Sequence, residues 1–238
     1  MSAQFSLGDI VVDVTLKDIK NIHLSVYPPT GTVRIAAPSR MSLDTIRVFA
    51  ISKLGWIKQQ QRKLLAQARE LPREYIERES HYVWGRRYLL RVIEADAAPS
   101  VALEPNAMVL RIRPGTNEAK RQAIVASWYR SLIRSAAAPL VAKWEPALGV
   151  KMNRLFVQKM LTRWGSCTPT TSSIRLNTEL AKKSPECLEY IVVHELAHLV
   201  VRTHDERFSG LIDTCLPSWR TTRQILNEAP VGHTNWGY

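Results

Sequence analysis

The chain has 238 residues, of which 45% are hydrophobic, and it carries a formal net charge of +12. This length suits one large domain or two small ones, and the apolar content excludes wholesale disorder. No run of about 18 uninterrupted apolar residues indicates a membrane span, and the N-terminal residues lack the pattern of a secretory signal. The three cysteines form no CxxC pair, which argues against a disulfide framework. We therefore expect a cytoplasmic protein without a membrane partner.

The positive charge is concentrated in two segments. Residues 40–73 carry eight Lys and Arg against two acids, and residues 120–163 carry nine against one. Such a surplus can attract nucleotides or nucleic acid, although solvated helix faces are the simpler explanation. Contact with nucleic acid or a nucleotide through these two segments is therefore a prediction with a plain structural alternative.

In chain order, the first half of the sequence alternates between strand and helix patterns. Residues 9–37 show the alternation of three short strands. Residues 42–70 change to a helical period that Ser42 can cap. Strand patterns return at 81–94 and 101–114. This half is therefore predicted to be a mixed α+β region.

The second half begins with a long helix over 116–148, in which Pro139 and Pro146 predict a kink or a break. Residues 154–177 follow as three short strands. Three helices are predicted after them, over 185–201, 205–215 and 218–228. The fold class is therefore α+β, with an N-terminal α+β region at 1–115 and a catalytic region at 116–238. One continuous domain is the alternative.

The segment YIVVHELAHLVVRTH, residues 190–204, places titratable side chains within a very apolar part of the chain. His194 and His198 are four residues apart and therefore lie on one helical face. With Glu195 they form the H-E-x-x-H pattern, in which two histidines bind zinc and the glutamate is the general base. A buried helix that satisfies these groups by hydrogen bonds alone would need many partners. We therefore predict one bound Zn²⁺.

The third zinc ligand is predicted to be His204, and Asp205 or Glu228 is the alternative. The spacing of the three histidines equals that of metzincin proteases. Metzincins, however, carry glycine at the position of Val201, where a positive φ is needed. They also need a methionine turn downstream, and the chain has no methionine after Met160. The metzincin fold is therefore excluded.

The predicted chemistry is peptide hydrolysis. Zinc in such a site lowers the pKa of bound water toward about 7. Glu195 would accept the water proton and pass it to the leaving amine. Asp205 or Asp213 could orient a ligand imidazole.

Several stretches together resemble the YgjP-like metallopeptidase family, which is related to the M48 and WLM-type zinc proteases. They are TRWGSC (162–167), IRLNTEL (174–180), LEYIVVHELAHL (188–199) and the pair His204 and Phe208. The resemblance implies a small zincin-like catalytic region, in which the H-E-x-x-H helix packs beside a short sheet, with an N-terminal extension. It implies His194, His198 and His204 as zinc ligands and Glu195 as the catalytic base. It also marks motif positions near the site at Arg163, Trp164, Gly165, Ser166 and Asn177.

The RWGSC stretch also has an interpretation of its own. Gly165 permits close backbone approach, and Arg163, Ser166 and Asn177 offer donors to a developing oxyanion. A neighbouring strand edge could bind an extended peptide by β-augmentation. The equally plausible alternative is that Trp164 is a core residue and Ser166 satisfies backbone groups. Substrate binding by Arg163, Trp164, Ser166 and Asn177 is thus a prediction with an open alternative.

The preferred function is a zinc-dependent metallopeptidase that acts on a protein or peptide substrate. One alternative is a nucleotide (UTP) pyrophosphatase, which the basic segments would suit but for which no Walker loop is present. The other is a nucleic-acid-associated protease of the WLM type, which would show salt-sensitive binding.

Overall fold

The computed structural model describes residues 2–27, 31–66, 73–160 and 163–228. These residues form two compact units, one within Met1–Glu70 and one within Leu71–Ala229. Together the described residues contain six α-helices and three small sheets, which confirms the α+β class. The boundary predicted at residue 116, between an N-terminal α+β region and a catalytic region, stays a prediction.

The first unit is built on a four-stranded sheet. Its strands are Ser2–Leu7 (β1), Ile10–Lys17 (β2), His23–Tyr27 (β3) and Thr32–Pro38 (β4). The spatial order is β1-β2-β4-β3, with β2 and β4 parallel and the two edge strands antiparallel to them. Strands β2 to β4 agree with the predicted alternation. Strand β1 was not predicted, because Phe5 and Leu7 are its only large apolar side chains.

Two helices cover this sheet, where one helix was predicted over 42–70. They are Leu43–Ser52 (α1) and Leu54–Ala66 (α2), and residues 67–70 of the predicted helix lie outside the described residues. Ser42 caps α1 as expected, because its hydroxyl accepts the Thr45 backbone N–H at 3.2 Å. The helices separate at Lys53, beside Gly55, a residue that lowers helix propensity. Ile46 and Ile57 are fully buried in the core of this unit.

The second unit begins with another four-stranded sheet. Its strands are Ser80–Val83 (β5), Arg86–Glu94 (β6), Ser100–Leu103 (β7) and Ala107–Ile112 (β8), in the order β5-β6-β8-β7. All four lie within the predicted strand patterns, apart from one residue at each of two strand starts. Trp84 and Gly85 join β5 to β6 with φ of 50° and 78°. Positive φ at both central residues is typical of a tight two-residue hairpin turn.

A single long helix, Glu118–Leu148 (α3), follows this sheet. Asn117 begins it by accepting the Lys120 backbone N–H at 3.0 Å, and Gly149 ends it with φ of 64°. The helix runs without interruption through Pro139 and Pro146, so neither proline breaks it, and the alternative of a kink stays a prediction. The buried side chains recur every three or four residues along α3, and their packing offsets the hydrogen bonds that proline removes.

The rest of the second unit is a small sheet and three helices. The strands are Arg154–Gln158 (β9), Gly165–Thr168 (β10) and Ser173–Asn177 (β11), in the order β10-β11-β9. The helices are Pro185–Ala197 (α4), Glu206–Cys215 (α5) and Trp219–Glu228 (α6). Helix α4 contacts α3, α5, α6, β10 and β11, and it ends about four residues before the predicted position. Among the described residues, no helix combines the length and apolar character of a membrane span.

Candidate metal centre

Helix α4 carries the H-E-x-x-H pattern through the interior of the second unit. Pro185 occupies its first turn and Glu186 complements the positive end of the helix dipole. The side chains of His194 and Glu195 are only 3% and 1% exposed. Burial of two titratable groups at this depth needs compensation from a partner or an ion. A metal ion bound here would therefore offset the cost of burying these side chains.

Three imidazoles converge at the end of this helix. The ligand nitrogens of His194, His198 and His204 all lie within 4.8 Å of one another, and no other such group occurs among the residues that the structure describes. The Nε2 atoms of His194 and His204 are 3.1 Å apart. Two nitrogens on one tetrahedral zinc ion, each at about 2.0–2.1 Å, would be roughly 3.3 Å apart. The three histidines therefore fit one shared ion.

The chain turns back directly after α4, and this turn brings the third histidine to the other two. His198 occupies the C-terminal cap of α4, and its Nδ1 donates to the Val201 carbonyl at 3.2 Å. That bond selects the tautomer whose Nε2 is free of hydrogen and able to bind a metal. Asp205, the alternative third ligand, instead caps α5 by accepting the Phe208 backbone N–H at 3.1 Å. The side chain of Glu228, the other alternative, lies outside the described residues.

An aromatic side chain packs against all three imidazoles. The Phe208 ring is 4.9 Å from the His194 ring and 4.7 Å from each of the His198 and His204 rings, measured between centroids. Phe208 is 4% exposed and lies in the first turn of α5. It fixes the orientation of the rings by van der Waals contact and keeps this side of the site apolar.

The environment keeps these histidines neutral. Burial, together with the neighbouring His198, His204 and Arg223, lowers the pKa of His194 to about 3. Burial also lowers the pKa of His198 and of His204. Neutral imidazole is the form that binds a metal ion, so the site is prepared for binding at neutral pH.

Glu195 is held in a separate recess beside the histidines. Burial raises the pKa of its carboxyl to about 8, although Arg163 and the Cys167 backbone N–H act in the opposite direction. Its Oε1 atom is buried and has no hydrogen-bond partner among the described residues. An unsatisfied buried oxygen is costly and in a functional site indicates a group awaiting its partner.

The recess exists because residue 165 is a glycine. A Cβ placed on Gly165 would lie 2.6 Å from Glu195 Oε1 and 2.8 Å from its Cγ. Real side chains do not approach so closely, so any other residue would displace the carboxylate. The close approach predicted for Gly165 is therefore directed at Glu195, a contact that the sequence did not indicate.

The other motif residues occupy different surroundings. Arg163 is exposed and close enough to Glu195 to lower its pKa. Trp164 is 2% exposed, and Lys183 Nζ lies 5.4 Å from the centre of its ring. Ser166 is half-buried on β10, opposite Arg175 of β11. Their predicted roles in substrate binding stay predictions, and the structure gives Trp164 the position of a core residue.

Asn177 organises the approach to β10. Its amide nitrogen donates to the carbonyls of Met160 at 2.9 Å and Arg163 at 2.7 Å. Its side-chain oxygen accepts the backbone N–H of Met160 at 3.3 Å and of Glu179 at 3.2 Å. The amide is thus fully used within the chain, and its predicted contact with substrate would require some of these bonds to open.

Several residues near the site were not predicted from the sequence. Tyr190 lies one turn before His194 on α4, with 5.7 Å between ring centroids, and it stacks on Trp219 of α6 at 6.0 Å. Arg223, also on α6, influences the pKa of His194, His204 and Tyr190. The i,i+4 spacing of Tyr190 and His194 was a usable signal. Nothing local indicated Arg223, because α6 reaches the site only through tertiary packing.

The sequence matches a known protein family. The family model for the YgjP-like metallopeptidase domain matches residues 20–229. The comparison with curated proteins gives no match. The chain is also similar to the metallopeptidase zymogen of Pyrococcus abyssi abylysin, with 22% identity and a TM-score of 0.33 over 37% of this chain and 85% of that one. The metallopeptidase zymogen of Methanocaldococcus jannaschii jannalysin shows 20% identity and a TM-score of 0.32, covering 40% and 83%. Since the family model spans most of the sequence, the chain belongs to the YgjP-like metallopeptidase family and is a metal-dependent hydrolase.

Proposed function

We propose that this chain is a zinc-dependent peptidase in which His194, His198 and His204 hold one zinc ion and Glu195 is the general base. The observation that carries the proposal is the juxtaposition of three neutral imidazoles with a buried carboxylate whose Oε1 lacks a partner among the described residues. Three nitrogen ligands from protein leave a coordination position open, which is typical of hydrolytic rather than structural zinc sites.

Zinc in such a site supplies a Lewis acid and lowers the pKa of water toward about 7. The residues of this chain supply the proton transfers. Without a metal ion, the raised pKa of Glu195 favours the protonated carboxyl at neutral pH. A cation held by the three histidines would lower this pKa and favour the carboxylate. Its Oε1 then accepts a proton from the attacking water and delivers it to the leaving amine.

Strand β10 is the element best placed to hold a peptide substrate. It lies at the edge of its three-stranded sheet and pairs with β11 on one side. Its first residue, Gly165, contacts Glu195, so a strand added to the free edge would pass beside the catalytic carboxylate. Main-chain pairing of this kind binds extended peptides with little dependence on side chains. We therefore propose unfolded or extended protein segments as substrates.

The test compares wild type with Glu195→Gln on a mixed peptide library analysed by mass spectrometry. Glu195→Gln should retain one equivalent of zinc and lose hydrolysis by a factor of at least about 100, as expected for a general base. Glu189→Gln, the same change on the same helix, should keep both zinc and activity. Hydrolysis by Glu195→Gln at the wild-type rate would refute the assigned base, and a protein without bound metal would refute the site.

The two alternative functions stay predictions. The basic segment 40–73 belongs to the first unit up to residue 70, and the basic segment 120–163 belongs to the second unit. Pyrophosphate release from UTP by wild type, together with loss of that release in Glu195→Gln, would favour a pyrophosphatase at the same site. Salt-sensitive mobility shifts of DNA or RNA would favour the nucleic-acid-associated protease. The cytoplasmic location is likewise a prediction.

A further inference from the structure

A second cavity lies in the same unit as the metal centre. It has a volume of about 90 Å³ and is bounded by α3, by the end of β9 and by the segment that leads into β5. None of the three converging histidines and neither Glu195 nor Gly165 lines it. The cavity is therefore distinct from the metal centre.

The lining of this cavity is strongly basic. Arg73, Arg130, Lys159 and Lys182 are among its lining residues, and Glu179 is the only carboxylate among them. Glu179 is already paired, because it lies 2.5 Å from Lys182 Nζ. Arg130 and Lys159 have no ion-pair partner among the described residues. Arg73 is also paired, because its Nη1 lies 3.6 Å from Glu79 Oε1. The cavity is thus lined by two cations, Arg130 and Lys159, whose charge no described carboxylate offsets by an ion pair.

Helix α3 supplies a continuous wall. Gln122, Val125, Ala126, Tyr129 and Arg130 all line the cavity, and their spacing of three and four residues places them on one helical face. Val125 and Tyr129 are buried. Arg130 follows at the solvent side of this face. The wall therefore combines an apolar base with a cation at its rim, an arrangement that strengthens electrostatic attraction by limiting water.

The opposite wall is held in a strained shape. Tyr75, another lining residue, has φ of 56°, which is unfavourable for a bulky side chain. Glu79 maintains it, because its Oε2 accepts the Tyr75 backbone N–H at 2.7 Å and that of Glu74 at 2.9 Å. His81, which is fully buried, lies 3.0 Å from the other oxygen of Glu79. A strained backbone that side-chain hydrogen bonds hold in place is typical of preformed ligand sites.

We propose that this cavity binds the phosphate group of a small phosphorylated molecule. Its volume admits one compact oxyanion and excludes a nucleobase or sugar, which would remain outside. A tetrahedral phosphate presents oxygens in several directions and can meet cations from separate walls, whereas a planar carboxylate is best matched by one guanidinium. Arg130 and Lys159 are the two cations that the ligand would neutralise.

The test is isothermal titration calorimetry of the full chain with inorganic phosphate, at constant ionic strength, for wild type and for Arg130→Gln with Lys159→Gln. Each charge-assisted contact is worth about tenfold in affinity, so the double variant should bind roughly 100-fold more weakly. Arg134→Gln is the matched control, because Arg134 is an exposed arginine one turn further along α3 that does not line the cavity. It should bind phosphate like wild type.

Further ligands separate the possible sources of the phosphate group. Equal affinity for inorganic phosphate, glycerol phosphate and a nucleoside monophosphate would show that the phosphate group alone is recognised. Tighter binding of the nucleoside monophosphate would identify a nucleotide whose remainder binds outside the cavity. Acetate should not bind. Binding of acetate equal to that of phosphate, an equal loss in Arg134→Gln, or no heat from any phosphate compound would overturn the proposal.

Discussion

Replacement of Gly165 by alanine tests the geometry of the candidate active site most directly. The added Cβ would lie 2.6 Å from Glu195 Oε1 and 2.9 Å from its Cδ. Carbon contacts become favourable only at about 3.5 Å, so the carboxylate must retreat by roughly 0.9 Å. Misplacement of a catalytic group by about 1 Å costs on the order of 100-fold in rate. The same overpacking should destabilise the fold by about 1–3 kcal/mol.

The assay is kcat/KM on a peptide identified from the library, together with zinc stoichiometry and urea denaturation. Gly165→Ala should lose about 100-fold in kcat/KM and keep one equivalent of zinc, because the three atoms nearest to the added Cβ all belong to Glu195. Gly210→Ala is the control, since a Cβ there meets nothing within 4 Å, and as a helical residue it should gain a little stability. Full activity of Gly165→Ala with zinc bound would refute the view that this recess positions Glu195.

Other substitutions test the surrounding contacts. His204→Ala should abolish tight zinc binding in a chelator competition, whereas Asp205→Ala should mainly lower the thermal stability by removing the cap of α5. Equal zinc affinities of the two variants would contradict the ligand assignment. Asn177→Ala leaves the carbonyls of Met160 and Arg163 without their hydrogen-bond donor. It should lower the free energy of unfolding, measured in urea, by about 2–4 kcal/mol. A loss under about 0.5 kcal/mol would contradict the organising role of Asn177. Burial raises the pKa of Glu189, but hydrogen bonds from Lys143 and Trp144 outweigh this and lower it overall. The stability that the Glu189 carboxylate contributes is therefore fully present above the unfolded-state pKa of about 4.3 and is lost as pH falls through the lower folded-state pKa. Glu189→Gln should thus be about 1–2 kcal/mol less stable than wild type at pH 7 and nearly as stable in acid. A stability difference independent of pH would be evidence against the ion pair.

Structural features that are determined by residues close together in the sequence could be predicted from it. The four-residue spacing of His194 and His198 is a property of any α-helix, and the apolar residues around them indicated that this helix is buried. Most strands of the two larger sheets followed from alternation alone. The long helix α3 was also recognisable, although its prolines suggested a kink or a break and the helix continues through both.

Features that depend on tertiary packing were out of reach. The contact of Gly165 with Glu195 joins a strand to a helix that begins twenty residues later. Asn177 was predicted to face the substrate, because an amide can donate to an oxyanion, yet its hydrogen bonds depend on where Met160 and Arg163 lie. Strand β1 forms because β2 offers it an edge, and its own pattern is too short to indicate this.

The turn after α4 links the occupancy of the histidines to the order of the polypeptide around them. Two of the three imidazoles belong to a buried helix end, whereas His204 lies on the short exposed connection to α5. An ion that binds all three stabilises only conformations in which this connection is folded back, and its binding free energy adds to the cost of opening it. Local unfolding of residues 198–205 should therefore become rarer as free metal rises. If the three histidines hold the metal ion as proposed, the supply of metal sets the stability of the folded connection as well as the amount of active enzyme.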